Sequence, residues 1–170
     1  VVVEVDDDGT FHVRHVHGSD KNGSFYDLDR LYTQSGVTTG HRIEALVTGD
    51  THAEFIDAVV ENVTYHAPDS IVNTLKPKRT ILHDVVDFYA RNHHHRGNDI
   101  LTYGKHKSGR NNVQEGLQQA ADFIDRISRK DMEVVIVKSN HDEAFDRWLR
   151  EADVKNDPEN ADFYYYMKYH

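Results

Sequence analysis

Three short polar clusters hold the side chains of this 170-residue chain best suited to chemistry: Gly49-Asp50-Thr51-His52, His83-Asp84-Val85-Val86-Asp87 and Ser139-Asn140-His141-Asp142. Together they offer carboxylate, imidazole and amide donors, with no thiolate because the chain has no cysteine. A mixed oxygen and nitrogen set of this kind suits Mn²⁺, Mg²⁺, Fe²⁺ or Zn²⁺ in a reactive centre rather than a structural zinc knot. A carboxylate on the middle cluster could bridge two such ions ~3.5–4 Å apart, the spacing of two-metal phosphoester hydrolysis.

Donors so far apart in sequence act together only if something gathers them. Each cluster follows a short apolar run, at residues 43–48, 80–82 and 134–137, with the composition of a strand buried on both faces. If the three strands are neighbours in one parallel sheet, Asp50, His52, Asp84, Asn140 and His141 converge at its carboxyl edge, where open α/β sheets bind ligands. Helices are expected between them. Phe55, Ile56, Val59, Val60 and Val63 lie at helical spacing, and Pro68 and Pro77 bracket a short helix carrying Ile71, Val72 and Leu75. Asn111 or Asn112 caps a longer helix whose apolar stripe runs through Val113, Leu117, Ala120, Ala121, Ile124 and Ile127. Phe145, Trp148 and Leu149 mark another. The order β-α-α-β-loop-α-β-α implies an α/β sheet with crossover connections.

Residues 1–17 are expected to form a β-hairpin turning at Asp6-Asp7-Asp8-Gly9. Residues 18–41, with four glycines among polar residues, are expected to be a loop or a crossing from an upstream module. The chain thus divides into 1–41 and a domain over 42–170. Residues 91–110 are expected to be a loop in which Arg91, Arg96, Lys105, Lys107 and Arg110 stand against Asp99 alone. That basic stretch is a candidate for holding an anionic substrate.

The net charge of −9 excludes a protein whose whole surface is a nucleic-acid footprint. No apolar run approaches the ~18 residues of a membrane span, and no secretory signal opens the chain. The absence of cysteine fits a reducing compartment or says nothing of one, and the expected localisation is cytoplasmic. Val1 is not a start methionine, so residues are expected to precede it. Thirteen histidines are the compositional oddity, and His93, His94 and His95 form a run in mid-chain.

Asp50-Thr51-His52 resembles the D-x-H motif of calcineurin-like metallophosphoesterases. Asp84-Val85-Val86-Asp87 resembles their D-x-x-D, and Asn140-His141-Asp142 their N-H-[DE]. In this order, each behind a strand, the motifs cover roughly residues 43–150. The resemblance implies a layered sheet with helices on both faces, preceded here by the hairpin, and a hydrolase using two divalent ions, Mn²⁺ first among them. By the resemblance Asp50 and His52 bind the first metal, Asp84 bridges both, and Asn140 binds the second. His141 faces the scissile phosphate, with Asp142 placed beside it in the catalytic motif. The stretch L-H-D-V-V-D-F followed by N-H-H is similar to large-phage members of the family, including DNases that degrade host DNA. That likeness implies DNA as substrate, the host cytoplasm as the compartment, and Asn92, His93, His94 and Arg96 as contacts to a phosphate backbone.

Two departures stand out. His83 and Ser139 occupy places where the family usually has glycine, so His83 is a candidate contact to metal or substrate. The family's G-H-x-H motif is absent, which implies that this is the front part of a longer polypeptide continuing past His170. Asp87 is expected to act as a structural hydrogen-bond acceptor, the favoured role, or to orient a metal ligand from behind. The competing readings are a degenerate module that binds metal or a partner without catalysis, and an HD-domain phosphohydrolase using His83-Asp84 and His141-Asp142. The HD fold places its pair on a helix, whereas both pairs here follow strands.

Overall fold

The computed structural model describes residues 1–95 and 97–170, and shows a mixed α/β protein built around a small parallel sheet. Strands β1 (Val2–Val5) and β2 (Phe11–Arg14) form the expected antiparallel hairpin, turning through Gly9 at φ 87°. Residues 18–41 are not a loop. They hold β3 (Phe25–Asp27), β4 (Arg30–Thr33) and β5 (Gly36–Thr38), an antiparallel three-stranded sheet. Arg14 ties hairpin to sheet, donating from Nε and Nη2 to the two oxygens of Asp27 at 2.8 and 2.9 Å.

β6 (Ala45–Asp50), β7 (Arg79–His83) and β8 (Glu133–Ile136) lie side by side, all parallel, with β7 in the middle. Leu46, Thr80 and Val134 share one face, and Leu82 extends it on the central strand. Two helical connections pack there. The first is α1 (Ala58–Glu61), capped by the Asp57 carboxylate, which widens into a π turn over Asn62–His66 and leads to α2 (Ile71–Leu75), capped by Ser70. The helix expected from Phe55 therefore starts only at Ala58.

The second connection was expected to be a loop over 91–110, but it includes α3 (Asp99–Lys107), capped by Asn98. Asn112 then caps α4 (Val113–Ile127), accepting from the Glu115 amide. Its stripe buries Ala120, Phe123 and Ile127 against Leu82, Val85 and Tyr65, forming the main core. At the amino ends of the strands Arg42 clamps the sheet, donating to the carbonyls of Lys76, Pro77 and Asp131 at 2.9, 3.2 and 2.7 Å.

A second core lies beyond the carboxyl end of β7. Phe88, Ala90 and Val113 pack there with Ala144 and Trp148 of α5 (Glu143–Glu151), joined by Phe163 and Tyr164 of α6 (Pro158–Tyr169). Val86 touches both cores, so the loop after β7 is held from two sides. Among the described residues, no helix is long and apolar enough to cross a membrane.

Candidate metal centre

The β6–β7 ladder continues past the strand ends. The amides of Thr51, His52 and Ala53 donate to the carbonyls of His83, Asp84 and Val85 at 3.3, 2.8 and 3.0 Å. The pairing shifts register between Val47 and Asp50, which brings Asp50 opposite His83. The backbone is left-handed at His52 (φ 42°), Asp84 (φ 49°) and Phe88 (φ 58°). Asp and His enter that region more readily than most residues, yet it costs energy, and such positions cluster where side chains must be aimed.

Six donors gather there in two groups. In the first, the His52 Nδ1 lies 2.9 Å from Asp87 Oδ2, and the rings of His52 and His141 meet edge to face at 4.8 Å. In the second, His83 Nδ1 lies 2.9 Å from Asp84 Oδ2 and 3.7 Å from Asp50 Oδ1. Within each group the nearest ligand atoms are all within 4.8 Å of one another. The two groups are electrostatic neighbours, since the His141 charge acts on Asp84.

Two orphaned atoms fit a divalent cation. Asp84 is only 8% exposed, and its Oδ1 is buried with no hydrogen-bond partner. His52 Nδ1 is likewise buried without a hydrogen bond, because its close approach to Asp87 lacks hydrogen-bond geometry. Two donors side by side that do not point at each other are disposed to share a third atom. An unpaired buried carboxylate oxygen otherwise costs about 1–3 kcal/mol. Burial alone would raise the Asp84 pKa. The His83 hydrogen bond and the charges of His141 and His83 work against burial, and Asp84 is held below the ordinary carboxylate range, in its ligating form.

The expected site residues are therefore partly regrouped. Asp50, His52, Asp84 and His141 come together, joined by His83 and by Asp87, which sequence reasoning had assigned to structure. Asn140 is exposed on the turn after β8 and makes no hydrogen bond to either group among the described residues. Asp142, expected in the catalytic motif, lies outside both groups. It accepts from the Val86 amide at 3.3 Å and from the Ser139 amide and hydroxyl at 3.1 and 2.9 Å, which pins the turn carrying His141 to the loop after β7.

The residues expected to touch a phosphate backbone lie just beyond Asp87. Asn92 Oδ1 accepts from the His94 amide at 3.0 Å, and the rings of His93 and His94 sit 3.9 Å apart. Arg96 lies outside the described residues. Two cations of the expected basic loop turn inward instead. Arg91 forks onto both oxygens of Asp157, and Lys105 is 3% exposed. The Lys105 Nζ donates to the Tyr89 carbonyl at 2.5 Å, meets His95 Nδ1 at 2.8 Å and stands 4.5 Å from the Tyr89 ring centroid. Burial lowers its pKa first of all, followed by the charge of Arg91. Arg110 lies over the Phe55 ring at 5.0 Å. A cavity of about 560 Å³ opens between Arg91, Lys105, Trp148 and Asp157.

No family model matches the chain, and no solved structure matches it. The chain is 39% identical over 171 residues to Protein A1 of Escherichia phage T5, an alignment covering 97% of this chain and 31% of that protein. The chain thus spans about a third of the length of the phage relative it matches.

Proposed function

We propose that this chain carries a two-cation phosphodiester hydrolase centre acting on DNA, in a phage protein that degrades host DNA. The observation that carries the reading is the gathering of Asp50, His83 and Asp84 beside His52, Asp87 and His141 at the carboxyl ends of adjacent parallel strands, with Asp84 Oδ1 unpartnered. A metallophosphoesterase-like sheet belongs to the same reading. So does the choice of Mn²⁺ as the first metal, since three imidazoles among six donors favour a transition ion over Mg²⁺.

Divalent cations bound at these groups would polarise the phosphoryl oxygens of a diester and acidify a water. The chain's own residues supply the rest. His141 Nδ1 meets the Asp87 carbonyl at 3.3 Å, and because a carbonyl only accepts, the Nδ1 proton is held there. Nε2 is then the lone-pair nitrogen of the neutral ring, free to ligate or to carry a proton toward a leaving oxygen. Asp142 and Ser139 fix the turn that presents this ring. The reading is tested by cleavage of DNA and of bis-p-nitrophenyl phosphate with and without Mn²⁺. Cleavage that needs the ion and is lost in Asp84→Asn and His141→Ala supports it; unchanged rates in both variants contradict it.

The exposure of Asn140, and of the Asp50 carboxylate at 67%, favours a second reading, a module that binds metal without catalysis. Mn²⁺ binding without cleavage of any diester distinguishes that case.

A further inference from the structure

The cavity lined by Trp148 has no part in the cation centre itself, yet it adjoins it. The charge of Asp87 acts on both Lys105 and His95 in its wall, and the chain reaches that wall only three residues after Asp87. Its volume of about 560 Å³ lies within the roughly 300–1,000 Å³ of small-molecule sites. Among the described residues its positive charges are largely spent. The Arg91 guanidinium is closed by both oxygens of Asp157, and two of the three Lys105 donors are occupied by the Tyr89 carbonyl and His95. At the exposed mouth stands the Asp153 carboxylate, which among the described residues accepts only the Asn156 amide, at 2.6 Å, on Oδ2. Trp148 supplies an apolar wall.

Among the described residues such a lining is poorly suited to a phosphate: the Arg91 guanidinium is neutralised, and a carboxylate guards the entrance. It suits a flat, weakly polar ring that presents amino hydrogens to Asp153 and an acceptor to the remaining Lys105 proton. Adenine, cytosine and guanine have that exocyclic amine; thymine does not. We propose that the cavity is a nucleobase subsite selecting amino-bearing bases, which holds the nucleotide beside the scissile phosphate. The assignment deepens the phosphodiesterase reading and rests on it for its purpose, while its binding chemistry is independent of catalysis.

Trp148 is the chain's one tryptophan, so its emission reports on this cavity directly. The test titrates the 170-residue chain, in EDTA, with the monophosphates of deoxyadenosine, deoxycytidine, deoxyguanosine and thymidine, and separately with inorganic phosphate. Excitation is at the red edge of the indole band, where bases do not absorb. Saturable changes are expected with the first three, and binding roughly tenfold or more weaker with thymidine monophosphate. Asp153→Ala should reduce the three to the thymidine level. Thr102→Phe, an exposed change that fills the mouth, should abolish the response while the circular-dichroism melt stays in place. Equal response to all four nucleotides, saturation by phosphate alone, no response, or a response that survives Thr102→Phe would each overturn the assignment. Because no metal is present, a failed titration leaves the hydrolase reading standing, and loss of the hydrolase reading leaves a positive titration intact.

Discussion

Replacing Asp84 by Asn separates what the centre does for stability from what it does for metal. In the metal-free protein the cost should be small. Asn enters the left-handed region at least as readily as Asp, so the φ of 49° adds no strain. Its amide oxygen can still accept from His83, so what is lost is the extra strength of a charged acceptor, about 1 kcal/mol. With metal the difference should be large. For wild type, Mn²⁺ at a hundredfold excess over its dissociation constant adds about 2.7 kcal/mol, or roughly 5–11 °C in Tm for a chain of this length. The variant loses the one buried, unpartnered oxygen in the centre, and its Mn²⁺-dependent rise should fall to about 2 °C or less at the same ion concentration. Thermal melts by circular dichroism, with and without Mn²⁺, read both effects. A variant that keeps the full metal-dependent rise, or that melts more than about 10 °C low without metal, refutes the reasoning.

Away from the centre, the Arg126 guanidinium forks onto the buried Glu61 carboxylate at 2.9 and 3.0 Å, and mainly through that hydrogen bond holds Glu61 below its ordinary pKa of 4.5. A carboxyl depressed by folding adds stability above pH 4.5 that is lost as pH falls through its lower folded value. Glu61→Gln should therefore cost about 1–2 kcal/mol at neutral pH, discounted because Arg126 is half in water, and should flatten the acid limb of the stability curve in urea melts. An unchanged acid limb contradicts it. Asp142→Ala removes acceptors for the Val86 amide and for the Ser139 amide and hydroxyl, and should lower stability by about 1–3 kcal/mol. It should slow diester cleavage through misplacement of His141 while leaving the Mn²⁺-dependent rise in Tm nearly intact. Complete loss of that rise would instead make Asp142 a ligand.

The scaffold of the site was legible because three runs of apolar residues stop abruptly in polar ones, and parallel pairing does bring Asp50, Asp84 and His141 to one edge. The partition of donors was not. Asp87 reaches His52 because the chain turns through positive φ at Asp84 and at Phe88, and neither turn is signalled by a glycine. His83 meets Asp50 because of a register shift that depends on pairing rather than on local pattern. Helix α3 carried no apolar stripe to announce it, since Ile100 and Tyr103 are exposed and Lys105 is the residue it buries. Its start is set by the Asn98 cap, a signal present in the sequence but outweighed by the glycines around it. Strands β3 to β5 have only three or four residues each, too short for alternation to stand out among the glycines of 18–41.

The most direct measurement of the central claim is anomalous scattering at the manganese edge from crystals of the chain grown with Mn²⁺. Two peaks are expected, one among His52, Asp87 and His141 and one among Asp50, His83 and Asp84. Peaks on the His93–His95 run alone, or none at the strand ends, would contradict it.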